Sequence, residues 1–96
     1  MLVEHPSVAV HDHSSLRYMI YAGAPMYRAD QIRALKVLGP VMVQYFGLGE
    51  VTGNITVLPP AHHSADDANM RIGTCGFART GMQVQVQDAT GREVAA

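Results

Sequence analysis

Apolar positions along this chain form two runs, interrupted only by Arg17 and Gln44, and one alternating run, with a helical pattern lying between the first two. Residues 16–22 (LRYMIYA) are apolar and aromatic over the length of a strand. So continuous a run predicts a strand covered on both faces rather than a half-exposed one. It stops at Gly23-Ala24-Pro25. Residues 27–38 (YRADQIRALKVL) predict a helix, with Ile32, Leu35 and Leu38 near one face and Arg28, Gln31 and Lys36 toward solvent. Gly39-Pro40 ends it, because glycine suits the left-handed position after a helix and proline cannot continue one. Residues 41–46 (VMVQYF) predict a second buried strand, which runs into Gly47-Leu48-Gly49-Glu50. A third, shorter strand is expected over residues 54–58, closed by Pro59-Pro60.

The flanking segments are plainer. Residues 1–3 read as the end of an apolar helix halted at His5-Pro6, and residues 7–15 as a polar, His-rich loop. Residues 61–69 read as a polar loop and residues 72–77 as irregular. Residues 82–87 (MQVQVQ) alternate without a fault, which predicts an antiparallel strand with one wet face. Asp88-Ala89-Thr90-Gly91 is a turn signal, and residues 92–94 begin a short return arm. The pattern as a whole predicts an α/β fold: a β-α-β part of a parallel sheet layer, followed by antiparallel strands.

Composition narrows the possibilities. The 96 residues carry a net charge of −1, which excludes a nucleic-acid binder working through a basic surface. Apolar residues make up 48% and charged residues 16%, so disorder is excluded as well. A body this small buries only about 60–65% of its unfolded surface, so that composition implies a surface meant to be covered by something else. The lone Cys75 excludes an intrachain disulfide and any CxxC site. There is no signal-peptide pattern and no apolar stretch long enough to span a bilayer. The expectation is a cytoplasmic protein in a reducing compartment.

Parallel neighbours end at the same edge of a sheet, so the loops at residues 23–25 and 47–50 should border one crevice, where open α/β sheets bind ligands. Glycine lets a ligand approach the backbone. Phe46 offers a face to a flat heterocycle, and Glu50 offers a carboxylate for magnesium beside phosphates. The same residues are also what ordinary strand ends and a solvated charge would look like. His11, His13, His62 and His63, with Asp12 or Asp66, are a candidate metal set, against the plainer reading of solvated loop histidines. Cys75 has no neighbouring base, Ser14-Ser15 lacks a nucleophile elbow, and Asp66-Asp67 lacks the spacing of a calcium loop.

At the two glycine loops the sequence resembles the AMP-forming acyl-CoA synthetases of the adenylate-forming, AMP-binding superfamily, of the long-chain fatty-acid–CoA ligase type. Ser14-Ser15-Leu16-Arg17 with Tyr21-Ala22-Gly23-Ala24-Pro25 resembles "SSLR … GGAP". Gln44-Tyr45-Phe46-Gly47-Leu48-Gly49-Glu50 resembles "Q-x-Y-G-x-T-E", and residues 55–58 follow as in "xITxLxP". Residues 71–77 resemble "RxGSVGxP", and residues 83–91 "xVxIVDxxG". Five matches in order cover nearly the whole chain.

The resemblance implies a two-step ligase: a fatty or other carboxylic acid and ATP give an acyl-adenylate, and coenzyme A then displaces AMP. It implies ATP or AMP, magnesium and coenzyme A as cofactors and co-substrates. Gly23, Ala24 and Pro25 would form a wall of the adenine and acyl pocket. Tyr45, Phe46 and Gly47 would lie along the nucleotide, with Phe46 against adenine. Gly49 would stand at a phosphate contact, and Glu50 would be the catalytic, magnesium-binding acid. Three positions depart from the pattern: Phe46 stands for tyrosine, Gly49 for threonine and Ala22 for glycine. The family's phosphate loop, ribose-binding aspartate, hinge and C-terminal lysine domain have no counterpart here. The chain is therefore expected to be an internal fragment, inactive alone and partnered by the rest of the parent enzyme. Residues 1–70 would belong to the α/β nucleotide-binding subdomain, and residues 71–96 would start a β-barrel-like one. The alternatives are a stand-alone nucleotide-binding or scaffold module, and a metal-binding regulator using the histidines. Uncovered apolar strands would favour a homo-oligomer.

Overall fold

The computed structural model describes residues 2–66 and 73–95. Its elements are β1 (Met19–Tyr21), α1 (Arg28–Leu38), β2 (Met42–Phe46), β3 (Thr56–Leu58), β4 (Phe77–Ala78), β5 (Val86–Gln87) and β6 (Glu93–Val94), with short 3₁₀ turns between some of them. The sheet runs in the order β1-β2-β3-β4. β1 and β2 are parallel, joined through α1, while β2–β3 and β3–β4 are antiparallel. β5 and β6 form a separate antiparallel hairpin. This is the mixed α/β architecture that the pattern predicts.

Register decides what each face carries. Met19 pairs with Met42, Tyr21 with Gln44, and Gln44 with Leu58. Side chains of paired residues rise on one side of a sheet, so these five share a face. That face receives α1: the core joins Val8, Ala34, Leu38, Val41 and Met42, with Met19, Tyr21, Met26 and Leu35 packed against it. α1 starts after an extended Tyr27 and ends at Gly39, whose φ of 84° is costly for other residues and whose N–H donates to Leu35 O at 3.0 Å.

Several expectations are corrected. The residue 16–22 run forms only the three-residue β1, and it is not covered on both faces, because Ile20 is 54% exposed. β1 is the edge strand of the four-stranded sheet. Gln31 does not reach solvent. It is buried, and its Nε2 donates to Ser64 O at 3.3 Å, so the buried line of α1 is Gln31, Ala34 and Leu38. The residue 7–15 loop begins instead within a 3₁₀ turn, Pro6–Ala9, with proline in the first turn and His5 Nδ1 accepting from Ser7 N–H. Leu2–Glu4 is likewise 3₁₀ rather than an apolar helix end. Part of the expected 61–69 loop is the 3₁₀ turn Pro60–His62, while residues 67–69 lie outside the described ones. Phe77, expected in an irregular stretch, pairs with Val57. The alternating 82–87 segment pairs only at Val86 and Gln87, and Val84 and Val86 are both exposed.

Candidate functional site

Because β1 and β2 are parallel, the segments that leave Tyr21 and Phe46 start from the same edge of the sheet. A cavity of about 780 Å³ opens there. Gly23, Ala24 and Pro25 form one wall, and Tyr45, Phe46 and Gly47 another. Tyr27, Arg28 and Gln31 of the α1 start border it, Tyr21 and Gln44 lie along the sheet, and Gly73, Thr74 and Cys75 close the far side. Gly49 and Glu50 do not line it. They begin the 3₁₀ turn Gly49–Val51 just beyond Leu48, with the Glu50 side chain in solvent.

The second loop is shaped by a close approach. A Cβ on Gly47 would overlap the Gly53 carbonyl and lie 2.6 Å from Asn54 N. Gly53 N–H donates to Leu48 O at 2.8 Å, and Ile55 N–H donates to Phe46 O at 2.7 Å. The loop therefore doubles back on itself directly after β2, leaving Phe46 43% exposed at its root. Gly23, at φ 88°, has nothing near its Cβ position, so the first wall presents bare backbone to the cavity.

Four polar residues that the sequence reading did not single out for this site organise the cavity's sheet side. Tyr21 Oη lies 2.9 Å from His63 Nε2 and 3.4 Å from Gln44 Oε1. His63 Nδ1 lies 3.0 Å from Pro59 O, and Gln31 holds the next residue, Ser64. Burial pushes the Tyr21 hydroxyl up to about 12. Burial also lowers His63, an effect partly opposed by the Pro59 carbonyl. The available sequence signal was Gln44, a glutamine inside an otherwise apolar run.

The other histidines are dispersed. His13 Nε2 bonds Val8 O at 2.6 Å, and His62 packs edge-on to Phe77 at 5.0 Å. Among the described residues no three His, Cys, Asp or Glu side chains converge as a metal set. Asp12 instead accepts the Ser14 N–H at 2.9 Å, which lowers its carboxyl. Among the described residues, no helix is long and apolar enough to cross a membrane.

The cavity fits a nucleotide by its size, its exposed aromatic wall, its bare glycine backbone and the amide of Gln44. Toward magnesium Glu50 offers one carboxylate just beyond the cavity lining, which suits an ion held mainly by water and phosphates.

The profile of the AMP-binding enzyme family matches residues 1–96, and the chain belongs to that family. It is 36% identical over 95 residues to a fatty acid–acyl-carrier-protein ligase of Streptomyces coeruleorubidus, covering 98% of this chain and 18% of that protein. It is 28% identical over 93 residues to a medium/long-chain-fatty-acid–CoA ligase of Mycobacterium tuberculosis, covering 97% and 16%. Among solved structures, the amide bond synthetase of Marinactinospora thermotolerans superposes with a TM-score of 0.78 at 28% identity, covering 97% of this chain and 18% of that one. An anthranilate CoA ligase in complex with anthranoyl-AMP shares the fold, with a TM-score of 0.70 at 20% identity over 99% of this chain and 17% of that one. The chain thus spans less than a fifth of the length of each.

Proposed function

We propose that these residues supply the strand-end walls of an adenylate-forming acid–thiol ligase, which joins a fatty or other carboxylic acid to ATP as an acyl-adenylate and passes the acyl group to a thiol carrier. The observation that carries this reading is the convergence of residues 23–25 and 45–47 on one cavity in a chain of the AMP-binding family. The thiol acceptor, coenzyme A, is favoured over an amine because both curated relatives load fatty acids onto carriers, one of them coenzyme A. In this reading Phe46 stacks on the base, and residues 23–25 admit the nucleotide close to the backbone. Glu50 helps hold magnesium, which would neutralise charge on the leaving pyrophosphate. Residues 71–96 lead into a barrel-like subdomain, and the 96 residues do not turn over alone, since positioning and charge stabilisation need groups from elsewhere.

Titration calorimetry with AMP and with Mg·ATP tests it. Saturable AMP binding is expected, weakened about tenfold or more in Phe46→Ala. Glu50→Gln should weaken only the magnesium-dependent part of ATP binding. A flat AMP titration up to millimolar ligand overturns the nucleotide reading, and pyrophosphate exchange by the isolated 96 residues overturns the claim of inactivity.

A further inference from the structure

Arg79 follows directly on β4 and extends its ladder by one bond, from its N–H to Ile55 O at 3.0 Å. Its side chain is half-buried and, among the described residues, pairs with no carboxylate. The guanidinium instead grips two main-chain carbonyls: Nε donates to Asn54 O at 2.6 Å and Nη1 to Thr80 O at 3.0 Å. Hydrogen bonds from an ionised donor are about twice as strong as neutral ones, and the planar fork loses little freedom in making them. Nothing in the proposed ligase reaction uses Arg79.

The carbonyl it holds stands at the exit of the loop that carries Glu50. That loop is fixed at its root from within, by Ile55 N–H on Phe46 O and Gly53 N–H on Leu48 O. Its middle is the Gly49–Val51 turn, held by two longer bonds of 3.2 Å, from Val51 N–H to Leu48 O and from Thr52 N–H to Gly49 O. Thr52 then takes φ 61°, a left-handed conformation that a β-branched residue rarely adopts, and Gly53 follows at φ 87°. Such a turn persists only where its surroundings enforce it. Among the described residues, the side-chain hydrogen bond that reaches residues 47–54 from another element is the one from Arg79.

We propose that Arg79 is a positioning residue: by clamping Asn54 O it holds the Thr52–Gly53 turn and so sets where Glu50 stands beside the cavity. The proposal rests on the nucleotide reading above and adds to it the anchor of the carboxylate assigned to magnesium. The cavity walls at residues 23–25 and 45–47 do not depend on this clamp, because Phe46 and Gly47 are fixed at the root of the loop.

Titration calorimetry of the full chain compares AMP with ATP, the latter with magnesium and with a chelator. Arg79→Leu should keep AMP affinity within about twofold and cut the gain that magnesium gives ATP by about fivefold or more. Arg79→Lys keeps the charge but replaces the fork with one compact donor, so its loss should fall between those of the parent and Arg79→Leu. In a Glu50→Gln background, Arg79→Leu should cost ATP no further affinity, because it acts through Glu50. Without ligand, amide exchange in Arg79→Leu should be about tenfold faster at Gly53 and unchanged at Val43. Losses that add to those of Glu50→Gln overturn the proposal, since the guanidinium would then act on the phosphates directly. An unmoved magnesium gain or unmoved Gly53 exchange in Arg79→Leu overturns it as well. So does lost protection at Val43, which would make Arg79 a prop of the sheet rather than of the loop. A parent chain that binds no AMP overturns the nucleotide reading, and the clamp then stands or falls on the Gly53 exchange alone.

Discussion

At Gly47 the requirement for glycine is one of space, since its φ is ordinary and the opposing backbone of residues 53–54 is what a side chain would meet. Backbone cannot swing aside as a flexible side chain can. Gly47→Ala should therefore cost about 1–3 kcal/mol, read as a lower urea midpoint with unchanged slope. Gly49, two residues on, has nothing within 4 Å of its Cβ position, and Gly49→Ala should change stability by no more than about 0.5 kcal/mol. Equal losses in the two variants would show that the approach at Gly47 relaxes freely. His63 adds a pH dependence at the same scale. Its folded pKa lies below the ordinary 6.5, so the unfolded chain binds the proton more readily. Its contribution to stability is complete above 6.5 and is lost as pH falls through the lowered folded value. A thermal melt series through that window should show a decline that His63→Gln flattens.

Among the elements, the β5–β6 hairpin rests on its turn. The Asp88 carboxylate accepts from Thr90 N at 2.9 Å, Thr90 Oγ1 at 2.6 Å and Arg92 N at 3.1 Å, and these bonds lower its pKa. Asp88→Ala should move the Val86 and Val94 chemical shifts toward random coil while leaving Val43 and Val57 in the sheet unmoved. Lowering pH through the folded Asp88 value, below its ordinary 3.8, should do the same, since the carboxylate's contribution is present above 3.8 and disappears on protonation. Coupled loss of hairpin and sheet would instead make them one cooperative unit. This hairpin also illustrates what could be read from sequence. Asp88-Ala89-Thr90-Gly91 marked the turn because the chemistry of a turn is local. The alternation over residues 82–87 overstated β5, because a strand extends only as far as its partner, and β6 has two residues. The edge exposure of Ile20 was likewise set by what lies beside it, which an apolar run does not encode. The two cavity walls were legible because parallel strands must end together. The Tyr21–His63 contact was not, since 42 residues separate its members and only the folded sheet brings them together.

For the whole molecule, the radius of gyration is 15.6 Å, against about 12.5 Å for a compact body of 96 residues, and the extents are 53 × 31 × 20 Å. Among the described residues no side chain is completely buried. The register that puts Tyr21 and Gln44 beside α1 puts Ile20, Val43, Tyr45, Val57 and Phe77 on the opposite side of the sheet. Val43 is buried and His62 lies edge-on to Phe77, but Ile20 and Phe77 at the two ends of the row are each 54% exposed. Ile20 also sits on the edge strand β1, where unpaired backbone favours strand addition. A row of this kind on a near-neutral body should associate with a second copy of itself. Sedimentation equilibrium of the 96 residues should show a weight-average mass that rises with concentration. Ile20→Lys places a charge on both the apolar row and the open edge, and it should return the mass to 10.4 kDa. AMP affinity should be unchanged in that variant, because Ile20 lies outside the cavity on the far face. A single monomeric species at every concentration would show that the exposed row is too small to drive association, and the same mass curve for Ile20→Lys would place the contact elsewhere.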